Sequence, residues 1–378
     1  MTVTSLTDRA KPGNTAGVDP HKRTLTVTVV DERAGTLGTR SFKVSGEGHR
    51  AMEAWSLEFG PLVRWGVEGA SGLGRHTAVF LCERGYDVRD VCPTRTAEQS
   101  KRRRQGKTDA LDAERIARET LADPLLPRAF KRAPGDTGPE PVMDQIALWH
   151  KARRSLLKSR QHILNEAESI LIALPEDVQA ELADTTDVRR RLGGLATLDR
   201  AEITDPVVLL RLRILDQTAA DVAEYDHRDK QATAELAALV TATGSTLDDL
   251  VGLSTKSAAE LLVEAGDPRR FTEGGYARFN GTAPIPASSG EGDGEPVRHR
   301  LNQQGNRATN AVLHRMAVTQ LRCHPGARLL YDNSRRKGHT KREAMRVLKR
   351  HLSNIVHRRM LADATHRTGQ TGQHEEAA

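Results

Sequence analysis

Thr24-Leu25-Thr26-Val27-Thr28-Val29 puts an apolar side chain at every second position, the period of a strand with one buried face. Ala16 to Asp19 predicts a short buried strand before it, and Pro20-His21-Lys22-Arg23 predicts the turn that joins the two as a hairpin. Asp31 to Gly38 reads as turn and Arg40 to Val44 as a third strand. The period then changes: from Gly48 to Phe59, Met52, Trp55 and Phe59 fall on one face of a helix. Leu62 to Val67 predicts a fourth strand, followed by the flexible Gly69-Ala70-Ser71-Gly72-Leu73-Gly74. A helix from His76 to Arg84, a strand from Tyr86 to Val91 and a helix carrying Asp109 and Asp112 complete the pattern.

That order, three strands and then helix, strand, helix, strand, helix, predicts an α/β domain of the ribonuclease H-like (RuvC-like) fold over residues 15–130. Residues 1–14 are polar and read as a disordered tail. Ala133 to Pro141, rich in Pro, Gly and Asp, reads as a linker. A long helix is predicted from Val142 to Leu174. Trp149, Leu156, Ile163 and Ile170 recur along it every seven residues, and so do Leu157, Leu164 and Leu171. A second, from Pro206 to Thr243, repeats the spacing with Leu215, Val222 and Leu236. The two predict an α-helical coiled-coil region over 142–245, either an antiparallel hairpin or a surface for a second copy, with 176–205 a variable connection. Residues 246–362 predict a mainly α domain. Leu250 to Leu262 reads as helix, turn and helix, Gly305-Asn306-Arg307 opens a helix through Leu321, and a basic helix spans Lys341 to Met360. Residues 366–378 read as a frayed tail.

Charge narrows the partners. The 378 residues carry a net charge of +7, with a sequence pI of about 9.4, so an anionic partner is expected. No apolar run approaches the ~20 residues of a membrane span, and Met1 to Leu6 lacks the apolar stretch of a signal peptide. Cys82, Cys92 and Cys323 have neither zinc spacing nor a disulfide framework. A cytoplasmic protein is expected. The glycines at 69, 72 and 74 do not form a dinucleotide-binding loop.

The candidate chemistry lies in four acids. Asp19 and Glu68 end the first and fourth predicted strands, which are neighbours in this fold, and Asp109 and Asp112 share one helix face. Carboxylates gathered this way repel one another unless a cation neutralises them, and one or two Mg²⁺ ions serving phosphodiester chemistry fit. The blander alternatives are a turn residue for Asp19 and an N-cap for Asp109. Arg102, Arg103, Arg104 and Lys107 immediately precede the second pair of acids and are candidates for phosphate contact. Lys341, Arg342, Arg346, Lys349 and Arg350 supply the same chemistry near the C-terminus and suit backbone contact with RNA or DNA.

Gly17-Val18-Asp19-Pro20-His21-Lys22, Val67-Glu68-Gly69, Lys107-Thr108-Asp109-Ala110-Leu111-Asp112-Ala113, Gly266-Asp267-Pro268-Arg269-Arg270-Phe271, Pro284 with Ser289-Gly290, and Gly305-Asn306-Arg307 follow one another in an order that resembles the DEDD transposases of the insertion-sequence 110 family. The resemblance runs from about Thr15 to Leu361. It implies a RuvC-like domain and a C-terminal transposase domain that together build one active site. Asp19, Glu68, Asp109 and Asp112 would be its acids and Ser289 its nucleophile, with Ser288 the adjacent alternative. It adds Arg307 to the nucleic-acid contacts. It further implies donor and target DNA as substrates, a structured bridge RNA as guide, and tetramers built from dimers. The turn Val251-Gly252-Leu253-Ser254 departs from the family's Pro-Gly-x-Gly. A RuvC-like hydrolytic nuclease or Holliday-junction resolvase, and a non-catalytic nucleic-acid-binding protein, are the alternatives that the acids and charge leave open.

Overall fold

The computed structural model describes residues 13–92, 108–133, 136, 138–286, 299–300 and 305–375. The chain divides into two compact units, one of residues 1–141 with 265–272 and one of residues 142–264 with 273–378.

In the first unit the alternating stretch is strand β2 (Thr24–Val30), paired antiparallel to β1 (Asn14–Pro20) with Asp19 opposite Thr26. Strand β3 (Thr36–Lys43) pairs antiparallel on the other side of β2. It starts four residues earlier than its sequence suggests, inside the stretch read as turn: Thr39 and Ser41 face Thr28 and Thr26 and share hydroxyl hydrogen bonds of 2.9 Å with them, which holds an otherwise polar strand in the sheet. Helix α1 (Gly46–Leu57) is capped by the Ser45 side chain. Strand β4 (Leu62–Glu68) then enters parallel to β1, helix α2 (Arg75–Glu83) follows, and β5 (Val88–Val91) lies parallel to β4. The spatial order β3-β2-β1-β4-β5, with two antiparallel pairs and two parallel pairs, is that of the ribonuclease H-like fold. Ala16, Val18, Leu25, Val27, Val29, Trp65 and Val67 pack on one face with Met52 of α1 and Leu81 of α2, each fully buried. Burying one such large side chain contributes roughly 1.5–3 kcal/mol. Helix α3 (Asp109–Ala122) packs against β1, β2 and β4, with Ala113, Ile116 and Ala117 buried.

Residues 265–272, far along the chain, belong to this unit: Asp267 donates its N–H to the Lys131 carbonyl at 3.0 Å, and Arg269 pairs with Asp136.

In the second unit, helix α4 (Pro141–Ile172) and, after the short α5 (Glu176–Glu181) and α6 (Val188–Gly194), helix α7 (Pro206–Ala242) form a hairpin, one of the two arrangements that the sequence leaves open. The pairs Arg153–Asp229, Arg160–Asp226 and Arg211 with the Ala173 carbonyl step in opposite directions along the two helices, so they are antiparallel. Leu164 and Leu171 of the second heptad stripe are buried with Leu212 and Leu215, whereas Trp149 of the first stripe is 38% exposed. The connection 176–205 is packed, contributing Val178, Leu182 and Leu192 to that core.

The described residues of the rest of the unit are mainly helical. The stretch from Leu250 to Ser254, where a first helix was expected, is turn, preceded by a 3-10 turn, Leu247–Asp249; α8 (Thr255–Ala265) is the expected second helix. Helix α9 (Glu273–Phe279) and the strands β6 (Ile285–Pro286) and β7 (His299–Arg300) lead to α10 (Arg307–Cys323), α11 (Pro325–Arg336) and α12 (Lys341–Glu375). Helix α12 extends through residues 366–375, which read as tail in the sequence. Its Leu348, Leu352 and Val356, one turn apart, are buried, and Asp363 accepts hydrogen bonds from the Thr246 N–H (2.9 Å) and Oγ1 (2.7 Å). No helix among the described residues is long and apolar enough to cross a membrane.

Candidate active site

Register decides where the first two acids stand. Val18 lies beside Val67 in the parallel β1–β4 pair, so the next residues, Asp19 and Glu68, are neighbours at the C-terminal ends of these strands and share the face opposite the valines. Gly17 and Gly66 share that face two residues earlier. A Cβ on Gly17 would lie 2.5 Å from the Ala113 carbonyl and 2.2 Å from the Ala117 nitrogen; on Gly66 it would meet Thr120 Oγ1 at 1.9 Å. The two glycines therefore form the seat on which α3 rests, which explains why α3 approaches closely enough to carry its first turn to Asp19.

That first turn is held by Thr108, whose hydroxyl accepts the N–H of Leu111. The cap is thus Thr108, and the carboxylate of Asp109 is left to other work. It faces His21, whose Nε2 lies 3.3 Å from Asp109 Oδ1 and 3.4 Å from Asp19 Oδ2. Asp19, His21 and Asp109 each offer a ligand atom within 4.8 Å of the others. Asp112 sits one turn along, where Arg115 Nη1 donates to its Oδ1 at 2.8 Å.

The electrostatics match a cation site. Burial pushes the carboxyl of Asp19, 5% exposed, up to about 6; His21 opposes the rise, and the negative charges of Glu68, Asp112 and Asp109 add to it. A buried acid held among like charges is what a divalent ion would relieve, so the residues fit such an ion.

The loop after Glu68 is pinned by β5: Gly69 donates to the Val91 carbonyl at 3.2 Å and Ala70 to Asp90 Oδ1 at 2.9 Å. Burial pushes the Asp90 carboxyl up, against the Ala70 N–H, Lys131 and Arg270, which lower it. His21, Asp90 and Arg115 were not singled out from the sequence. A histidine two residues after an acid in a tight turn was a readable signal; the other two depend on tertiary pairing.

Arg102, Arg103, Arg104 and Lys107 lie outside the described residues, as do Ser288 and Ser289. In the second unit Arg307, Lys341, Arg342 and Arg346 are exposed. Lys349 is half-buried and donates to Asn310 Oδ1, and burial lowers its pKa; Arg350 donates to Asn354.

A five-stranded mixed sheet of this order, with acids gathered at the ends of its central strands, defines a ribonuclease H-like domain bearing an acidic site. A DEDD transposase model of the IS110 group matches residues 16–174, and the transposase model of the IS116/IS110/IS902 family matches residues 244–332. The chain belongs to this family of transposases and is an enzyme acting on DNA. No curated protein matches it.

Proposed function

We propose that this transposase cleaves and exchanges DNA strands of an insertion sequence through a serine–DNA intermediate, with Asp19, Glu68, Asp109 and Asp112 holding one or two Mg²⁺ ions. The supporting observation is the seating of α3 on Gly17 and Gly66, which brings Asp109 to Asp19 beside Glu68. A bound Mg²⁺ would neutralise non-bridging oxygens of the scissile phosphate and the charge that grows there in the transition state. The chain's own carboxylates fix where that phosphate sits, and the buried Asp19 keeps water from sharing its charge. Ser289 is the nucleophile in this reading. Its Oγ attacks phosphorus, the P–O3′ bond breaks, the serine proton ends on the departing 3′-hydroxyl, and a phosphoserine link to the 5′ side remains. Attack by another strand's 3′-hydroxyl on that link restores the serine and joins new ends. The phosphodiester energy is conserved, so no nucleotide triphosphate is required.

The same reading assigns catalysis by the acids to residues 15–130, a helical and oligomerising spacer to 142–245, and the serine to 246–362. The protein would act in the cytoplasm as a tetramer assembled from two dimers, guided to donor and target DNA by a structured RNA. Arg102, Arg103, Arg104, Lys107, Arg307, Lys341, Arg342, Arg346, Lys349 and Arg350 would hold nucleic-acid backbone. The test is strand exchange on DNA spanning the element's end and its flank, with the RNA transcribed beside the gene. Asp19→Ala and Ser289→Ala should each abolish joined product. Hydrolysed ends from Ser289→Ala at the native rate would replace this reading with that of a water-using nuclease.

A further inference from the structure

The geometry points to His21 as a nitrogen ligand of the divalent-cation site, completing with Asp19 and Asp109 a mixed nitrogen–oxygen donor set. This rests on the metal-site reading above and adds a residue and a selectivity to it.

The turn that carries His21 is built to hold it still. Pro20 fixes the backbone before it, and the His21 N–H donates to the Thr24 carbonyl at 2.8 Å, closing the hairpin. The imidazole is thereby set beneath the first turn of α3. Its Nε2 is buried and makes no hydrogen bond, although two carboxylate oxygens lie 3.3 and 3.4 Å away. Those separations exceed the ~2.7–2.9 Å of a charge-assisted hydrogen bond. They come within a few tenths of an ångström of the spacing between adjacent ligands of one ion: donors at about 2.1 Å, set at right angles, stand about 3.0 Å apart. The ring's other edge reaches solvent, the side chain being 42% exposed, so Nδ1 can carry the proton while Nε2 offers its lone pair.

A set made only of carboxylates suits Mg²⁺; an imidazole nitrogen shifts preference toward Mn²⁺, Co²⁺ and Zn²⁺. His21 would thus be a determinant of which ion the site takes. Asp19-x-His21 places an oxygen and a nitrogen donor two residues apart across a proline, and Asp109 arrives from α3.

The probe is Mn²⁺ added to untagged, metal-stripped full-length protein, read by pulsed electron paramagnetic resonance and by calorimetry. The wild type should show ¹⁴N modulation from a directly bound imidazole, and His21→Gln should lose it. His21→Gln should weaken Mn²⁺ binding about tenfold or more while changing Mg²⁺ binding less than threefold. A circular-dichroism melt of the metal-free variant checks that it folds. Mn²⁺ that binds in an Asp19-dependent manner without ¹⁴N modulation, or modulation that persists in His21→Gln, would overturn the role of His21 and leave the carboxylate site standing. Wild type and Asp19→Ala that both fail to bind Mn²⁺ would overturn the metal-site reading and this inference together.

Discussion

Gly17 of β1 and Ala117 of α3 approach so closely that a methyl group on the glycine would stand 2.2 Å from the alanine's backbone nitrogen. No flexible side chain can yield there, because the obstructing atoms are helix backbone. Gly17→Ala must therefore lift α3 or bend β1, at a cost of roughly 1–3 kcal/mol or more. Because Asp109 rides on α3, divalent-ion affinity should fall alongside the midpoint of urea unfolding. A Gly17→Ala protein with native stability and native Mn²⁺ affinity would show that the helix is not seated as described.

Thr108 and Asp109 separate capping from chemistry in adjacent residues. Thr108→Ala removes the side-chain acceptor for Leu111 and should cost about 1 kcal/mol in thermal or urea unfolding. Fraying of that turn should also weaken ion binding, even though Thr108 offers no ligand. Thr108→Ser should restore both.

The buried Asp19 predicts an unusual pH dependence. Its carboxyl in the folded protein rises to about 6 from the ordinary 3.8 of an aspartate, so the native state holds this proton more tightly than the unfolded chain. The group therefore opposes folding above about pH 6, and that penalty fades as pH falls toward 4. A shift of this size corresponds to on the order of 3 kcal/mol. In the metal-free protein Asp19→Asn should raise stability at pH 7.5 and have much less effect at pH 4.5, measured by urea unfolding of both proteins at both pH values. An equal effect at the two pH values would mean that Asp19 is not the strained acid. For the same reason ion binding, which competes with the proton, should weaken below pH 6.

The exposed cations of α12 should act through charge rather than base recognition. Replacing Arg342 and Arg346 by Ala should weaken binding to RNA and DNA about equally across sequences. Each lost phosphate contact should reduce the slope of log affinity against log salt by about 1. Filter binding across a salt series checks this; an unchanged slope would assign the two arginines to a merely solvated face.

Much of the first unit was legible because strands buried on one face announce themselves by alternation, as in Thr24 to Val29. The ends of β1 and β4 were legible because an acid closes each apolar run. Gly17 and Gly66 were not, since a glycine inside a strand says only that something comes close, not which helix does. His21 offered only the local signal of a histidine two residues after an acid in a turn; its place beside Asp109 depends on how α3 packs. The early start of β3 was masked by Thr36 and Gly38, read as turn residues; Thr39 is held in the sheet by its hydroxyl pair with Thr28 of β2. The heptad stripes left open both a hairpin and a surface for a second copy, because spacing alone does not name the partner helix. The exposed Trp149 shows that the two stripes do not share one burial, which depends on the partner helix and not on spacing. The membership of residues 265–272 in the first unit rests on hydrogen bonds such as Asp267 to Lys131, which a linear pattern does not encode.

The most direct measurement traps the reaction on DNA spanning the element's end in the presence of Mg²⁺ and maps the DNA-linked peptide by mass spectrometry. The account predicts a nucleotide attached through phosphate to Ser289, absent without Mg²⁺ and absent in Asp19→Ala. Cleaved DNA with free ends and no peptide attached, or attachment at another residue, would contradict it.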